Sequence, residues 1–207
     1  MNKESKFWDR IAKRYATQAV GDETAYQKKL SVSREYMDRN SRVLEFACGT
    51  GSTAISHAPY VESIHATDIS ANMLAIAKQK AKEANVGNVS FEQTNLLELD
   101  SPAGSWDAIL GLSILHLVAN KTSEIKRSYE LLKPGGVFIS STPCISDMSS
   151  WFKYIAPLFR WLPILPSLNV FSKEALKSEL EAAGFGVIYD WAPGADKAIF
   201  IVAQKPG

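Results

Sequence analysis

The sequence predicts an α/β fold in which a mostly parallel sheet is covered by helices on both faces. Three observations carry this. Short apolar runs alternate with helix-patterned segments along most of the chain. The run Arg42 to Phe46 passes into a loop of small residues and then a helix, the βα step of a doubly wound sheet. The last two strand-like runs are separated only by a stretch around Pro193 to Lys197, so they form a hairpin and one of them runs antiparallel.

Each element has its own signal. Phe7, Trp8, Ile11 and Tyr15 recur at helical spacing within Ser5 to Ala19, and a second helix covers Thr24 to Asp38. Strands fall at Arg42 to Phe46, Ser63 to Thr67, Val89 to Gln93, Trp106 to Leu110, Gly136 to Ser141, Gly186 to Trp191 and Ala198 to Ala203. Between them lie helices at Ser52 to Ala58, ended by Pro59, then Ala71 to Asn85, Lys121 to Leu132 and Lys173 to Ala183. No repeat or linker divides the chain, so one domain over 1–207 is expected. Within it, 1–40 are cap helices, 41–143 a ligand-binding core, 144–171 an apolar insertion, and 172–207 a helix and hairpin.

Composition excludes several classes. With 46% hydrophobic residues in 207, the chain can bury a sizeable core, and a net charge of +1 leaves no footprint for nucleic acid. The first residues lack the apolar run of a signal peptide, and no stretch approaches the roughly 20 apolar residues of a membrane span. A cytoplasmic protein is expected. Cys48 and Cys144 suit reduced thiols, and with His57, His65 and His116 they show no metal-ligand spacing.

The loop after the first strand, Glu45-Phe46-Ala47-Cys48-Gly49-Thr50-Gly51, points to a nucleoside. Small residues at Ala47, Gly49 and Gly51 let the backbone turn tightly and let a ligand come close. Asp68 ends the second strand about twenty residues on and could accept hydrogen bonds from both ribose hydroxyls. Such charge-assisted bonds contribute roughly 1.5–3 kcal/mol. The spacing is not the G-x-G-x-x-G of dinucleotide-binding oxidoreductases.

On these residues the chain resembles the class I S-adenosylmethionine-dependent methyltransferases of the small-molecule type, over roughly residues 7 to 142. Glu45 to Gly51 resembles the family's first motif, with Ala47 where glycine is more common, and His65 to Ser70 the second. Asn95-Leu96, Trp106 to Leu110 and Leu131 to Gly136 are similar to the following three, in the family's order. The resemblance implies a Rossmann-like, seven-stranded sheet of order 3-2-1-4-5-7-6 with strand 7 antiparallel, and S-adenosylmethionine as cofactor. It implies cofactor contacts from Tyr15, Glu45, Ala47, Gly49, Gly51, Asp68, Ile69, Met73, Asn95, Leu96 and Ser113. Ala47 is tolerable there if its backbone angles are ordinary. Asn95 can accept from the adenine amino group through its amide oxygen, without charge assistance. Tyr15 either faces the sulfonium or is core on its helix; Glu45 either meets the methionyl amino group or only fixes the loop.

The implied chemistry is methyl transfer to a small, hydrophobic or aromatic acceptor. Alignment of two reactants can lower a barrier by roughly 7–11 kcal/mol, so no strong catalytic residue is required. His116, after the fourth strand, is the one general-base candidate, although it could equally bond to backbone. The insertion carries Trp151, Phe152, Ile155 and Phe159. These form an apolar lid that selects the acceptor, or pack against the sheet edge, or make a weak membrane-surface contact through 151–162. Two other activities stay open: methylation of a protein or other macromolecule, and cofactor binding without catalysis. An aminopropyl transferase would carry more acidic residues than this segment supplies. The acceptor atom, pathway and oligomeric state are not legible.

Overall fold

The computed structural model describes residues 3–147, 168–194 and 196–207 of the chain. The expected lid residues Trp151, Phe152, Ile155 and Phe159 lie outside them. Two helices, α1 (Lys3–Ala16) and α2 (Glu23–Glu35), precede strand β1 (Arg42–Phe46). The chain continues through α3 (Ser52–His57), β2 (Ser63–Thr67), α4 (Ala71–Glu83), β3 (Val89–Glu92) and β4 (Trp106–Leu112). It ends with α5 (Lys121–Leu131), β5 (Leu132–Thr142), α6 (Lys173–Ala182), β6 (Gly186–Trp191) and β7 (Ile199–Gln204). The sheet order is β3-β2-β1-β4-β5-β7-β6. β7 runs antiparallel to both neighbours, and the other pairings are parallel. The expected fold is therefore the observed one.

Alternation within each strand explains the two-sided core. In β1, Leu44 and Phe46 face one layer while Val43 faces the other; in β4, Ile109 opposes Ala108 and Leu110. A strand buried on both faces is apolar along its covered length, as Val43, Leu44 and Phe46 in β1 and Ala108, Ile109 and Leu110 in β4 are; Glu45 is the buried exception. One layer is centred on Phe138, which stacks on Phe46 at 6.4 Å and meets Phe185 at 5.8 Å between ring centroids. Full burial of such a side chain contributes roughly 1.5–3 kcal/mol.

Helix starts follow local capping chemistry. The side chains of Asp22, Ser70, Asn120 and Ser172 each accept the N–H three residues on, at 2.9–3.1 Å. Helix ends were less legible. α4 stops at Glu83, short of the expected Asn85, because Asn85 adopts φ 53° and the Val86 N–H bonds back to the Ala81 carbonyl. β5 begins at Leu132, four residues before the expected start. The Lys133 to Gly136 turn is a bulge inside the strand: Leu132 pairs with Trp106, and the ladder resumes at Ala108 and Val137.

At the sheet end where β1 and β4 begin, Asp107 accepts the Arg42 N–H at 2.9 Å and the Lys133 ammonium at 2.7 Å. It is a structural tie between three strands. Among the described residues no helix is long and apolar enough to cross a membrane.

Gly51 sits where α3 passes under α4. Its φ is 73°, and a Cβ there would lie 2.8 Å from Ala77 Cβ. Gly51→Ala therefore combines a left-handed alanine with overpacking, and should cost about 2–4 kcal/mol and several degrees of Tm. A melting curve unchanged from wild type would show that the two helices can separate without penalty.

Candidate functional site

The loop after β1 gets its shape from backbone strain and one buried carboxylate. Ala47, Gly49 and Gly51 all have positive φ, at 52°, 55° and 73°. The ordinary angles expected at Ala47 are not found, and an L residue in that region costs roughly 1–2 kcal/mol. Asp68 compensates from the end of β2: its Oδ2 accepts the Gly49 N–H at 2.8 Å and its Oδ1 accepts the Ser70 N–H at 2.8 Å. The Cys48 N–H donates to the Thr67 carbonyl at 2.9 Å, which locks the loop to the same strand end. Burial raises the Asp68 carboxyl above its usual range, against the pull of those N–H groups.

The N-terminal helix is fastened over this loop by a residue that no sequence motif marked. Asp9 on α1 accepts from Ser70 Oγ at 2.6 Å and from the Asn72 N–H at 3.0 Å, while its carbonyl accepts from Asn72 Nδ2. That clip places Tyr15 above Gly49, whose added Cβ would lie 3.7 Å from the Tyr15 ring. Trp8 braces Tyr15 edge to face at 6.5 Å. Burial raises the Tyr15 phenol, helped by the charges of Asp68 and Glu45.

Two cavities meet under Tyr15. The first, about 300 Å³, is lined by Asp68, Ile69, Met73, Asn95 and Leu96 among others, and is largely apolar. The second, about 850 Å³, is lined on its polar side by Glu45, Lys29, Tyr26 and Ser141. Tyr15, Ala47, Gly49 and Ser113 border both. Of the residues expected at the cofactor, only Gly51 lines neither, its place being the contact with α4.

The polar groups differ in how far they are satisfied. Glu45 is buried with Oε2 lacking any partner, and burial pushes its carboxyl up to about 8, against the opposing effect of the Ala54 N–H. The Asn95 amide oxygen already accepts the Glu98 N–H at 2.9 Å, leaving one lone pair for a ligand. Ser113, at φ 57°, donates its N–H to the Ser141 carbonyl at 2.6 Å, which joins the ends of β4 and β5. Strained residues at Ala47 and Ser113 thus flank the junction of the cavities, where strain is characteristic of functional sites.

His116 is placed differently from expectation. Among the described residues it lines neither cavity, and burial lowers its imidazole to about 4, so it stays neutral and weakly basic near pH 7. Its backbone carbonyl accepts the Asn169 N–H at 2.8 Å. His57 is likewise lowered to about 4 by burial, with Arg34 adding to the effect. His65 stacks on Trp106 and bonds to Ser90 and Glu92. Sequence reading missed Lys29, Ser141 and Asp9. The spacing of Tyr26, Lys29 and Ser33 along one face of α2 was the available signal for Lys29; Asp9 had none.

Similarity to known proteins follows the same residues. The profile of a family described as a methyltransferase domain matches residues 43–136. The demethylmenaquinone methyltransferase of Geobacillus kaustophilus is 29% identical over 136 residues, covering 61% of this chain and 58% of that protein. The ubiquinone/menaquinone biosynthesis C-methyltransferase of Proteus mirabilis is 29% identical over 181 residues, covering 76% and 71%. The matches to the first of these and to its Listeria counterparts span little more than half of those proteins' length. Among solved structures, the YcgJ protein of Bacillus subtilis superposes with a TM-score of 0.73 at 18% identity, over 87% of this chain and 99% of that one, a likeness of fold.

Two outcomes follow from the loop. Ala47→Gly should stabilise the protein by roughly 0.5–1 kcal/mol, the left-handed penalty less the entropic cost of glycine; an unchanged denaturant midpoint would show that the loop stores no strain there. For Glu45, the folded value of about 8 lies above the ordinary 4.5. Across that interval the folded chain holds a proton that the unfolded chain has released. The contribution to stability is therefore complete below the lower value and lost as pH rises to the upper. Urea midpoints should fall more steeply with pH across the interval for wild type than for Glu45→Gln, and parallel curves would rule out Glu45 as the titrating group.

Proposed function

We propose that the chain, which is similar to S-adenosylmethionine-dependent methyltransferases over its methyltransferase-domain match, transfers a methyl group from S-adenosylmethionine to a small hydrophobic or aromatic acceptor. The observation that carries the proposal is the junction of two cavities of unlike character under Tyr15, one largely apolar and bordered by Asp68, the other of mixed lining and bordered by Glu45. Relatives named as demethylmenaquinone methyltransferases support an acceptor with a ring system.

The residues present fit the cofactor. Asp68 holds the loop with one lone pair on each oxygen and leaves the others for ribose hydroxyls. Ile69, Met73 and Leu96 supply apolar contact for the base, with Asn95 at its edge. The orphaned Glu45 oxygen suits an ammonium group, which would return that carboxyl to its charged form. When bound, the cofactor supplies a methyl carbon that forms a bond to the acceptor lone pair while the carbon–sulfur electron pair stays on sulfur. Any proton on the accepting atom leaves to solvent.

The chain's part is alignment and exclusion of water. Asp9 fixes α1, α1 fixes Tyr15, and the aromatic face of Tyr15 covers the point where the cavities join. Such a face favours a cation by roughly 0.5–2 kcal/mol, so it discriminates a sulfonium from the neutral thioether product. No general base is assigned among the described residues.

Calorimetry tests the assignment. The wild type should bind S-adenosylmethionine and S-adenosylhomocysteine in the micromolar range, on the order of −8 kcal/mol. Asp68→Ala should lose roughly ten- to hundredfold of that affinity, the worth of charge-assisted bonds to ribose. A folded wild type that binds neither compound would overturn the proposal.

A further inference from the structure

The second cavity holds a cation that the fold does not pair. Lys29 lies on the inner face of α2, and its ammonium donates to Ser141 Oγ at 2.8 Å. Among the described residues no carboxylate forms an ion pair with it. One turn earlier on the same helix face, the Tyr26 phenol oxygen is buried with no partner. Both side chains border the cavity together with Ser141. An ammonium with unused N–H groups and two hydroxyls able to donate form a set of donors without a matching acceptor.

A partly buried cation of this kind is less costly when a ligand completes it. The burial that lowers the Lys29 ammonium is only partly offset by the charge of Asp22. We propose that Lys29, with Tyr26 and Ser141, forms a subsite for an ionised oxygen of the methyl acceptor, a carboxylate or phenolate. This rests on the methyltransferase reading and narrows its acceptor from an apolar ring to an amphipathic one, a ring system carrying an acidic oxygen.

The position in the sheet separates this subsite from the cofactor groups. Asp68 and Glu45 stand at the ends of β2 and β1, whereas Ser141 stands near the end of β5, with β4 between. At the spacing of adjacent strands, β1 and β5 are about 10 Å apart. The subsite is therefore on the far side of the Ser113 junction from the ribose residue, where an acceptor has to enter. Glu45 borders the same cavity, and with the cofactor's ammonium paired to it its charge would be balanced and would not repel an anion.

Binding of 2-naphthoate and its uncharged isostere 2-naphthamide, titrated into protein saturated with S-adenosylhomocysteine, tests the subsite. The wild type should prefer the acid by roughly tenfold or more, Lys29→Met should bring the two within about twofold, and Lys29→Arg should keep most of the preference. Affinity for S-adenosylhomocysteine, measured on the same variants, should change by less than about twofold. It also shows that each variant is folded. Three results would overturn the proposal: no binding of the acid at millimolar concentration, a preference that survives in Lys29→Met, or a large loss of S-adenosylhomocysteine affinity in that variant while 5′-methylthioadenosine binds as before. The last would assign Lys29 to the cofactor's own carboxylate. If the wild type binds no S-adenosylhomocysteine, the methyltransferase reading fails separately, and titration of the acid and amide into the ligand-free protein still reads the subsite.

Discussion

The carboxylate of Asp68 is the constraint on which the rest of the site depends. Its two oxygens bridge Gly49 after β1 and Ser70 before α4, so one buried group sets both the loop and the start of a helix. Ser70 then caps α4 through Met73 and donates to Asp9, which brings α1 and Tyr15 over the loop. Removal of Asp68 would leave two buried N–H groups unsatisfied and free a loop that holds Ala47 at positive φ. The fold's helical cap is thus wired to the Asp68 carboxylate and not packed on independently.

Around that anchor the molecule accumulates groups whose polar or conformational demands the fold itself does not meet. Glu45 has an unpartnered oxygen, Lys29 has no carboxylate, Tyr26 has an unpartnered hydroxyl, and Ala47 and Ser113 are left-handed. Other charges are paired in ordinary ways, as in Asp107 with Lys133 or Lys177 with Asp190, while Glu124 on α5 is a second buried carboxylate with an unpartnered oxygen. Along the second cavity the signs are ordered: an acid by the loop and an ammonium near the end of β5. A cofactor that brings a cation to the first and an acceptor that brings an anion to the second would relieve both, and this polarity gives the second cavity a direction.

Much of the fold was legible from short-range patterns. β1, β2 and β6 begin and end where apolar patterning places them, because flanking charged, Pro and Gly residues interrupt that patterning. The end of α4 and the start of β5 were not, since Asn85 in a left-handed cap and a bulge at Lys133 to Gly136 are decided by hydrogen bonds to residues that the local pattern does not name. In the site, the loop and the place of Asp68, Ile69, Met73 and Leu96 beside a cavity could be read in advance because they sit at fixed offsets from strand ends. Lys29 could not, since Ser141, its partner, is more than a hundred residues away.

The sequence by itself determined the layer architecture, the nucleoside-type loop and the family, because each is written in residues that act on near neighbours along the chain. Only the tertiary structure decided that Ala47 is strained, that His116 stands off both cavities, that Asp9 fastens α1 to the start of α4 and that Lys29 borders the second cavity. The physical reason is desolvation together with convergence. Whether a polar side chain is a surface group, a tie or a binding group depends on which distant residues exclude water from it. That is a property of the packed sheet and not of the chain.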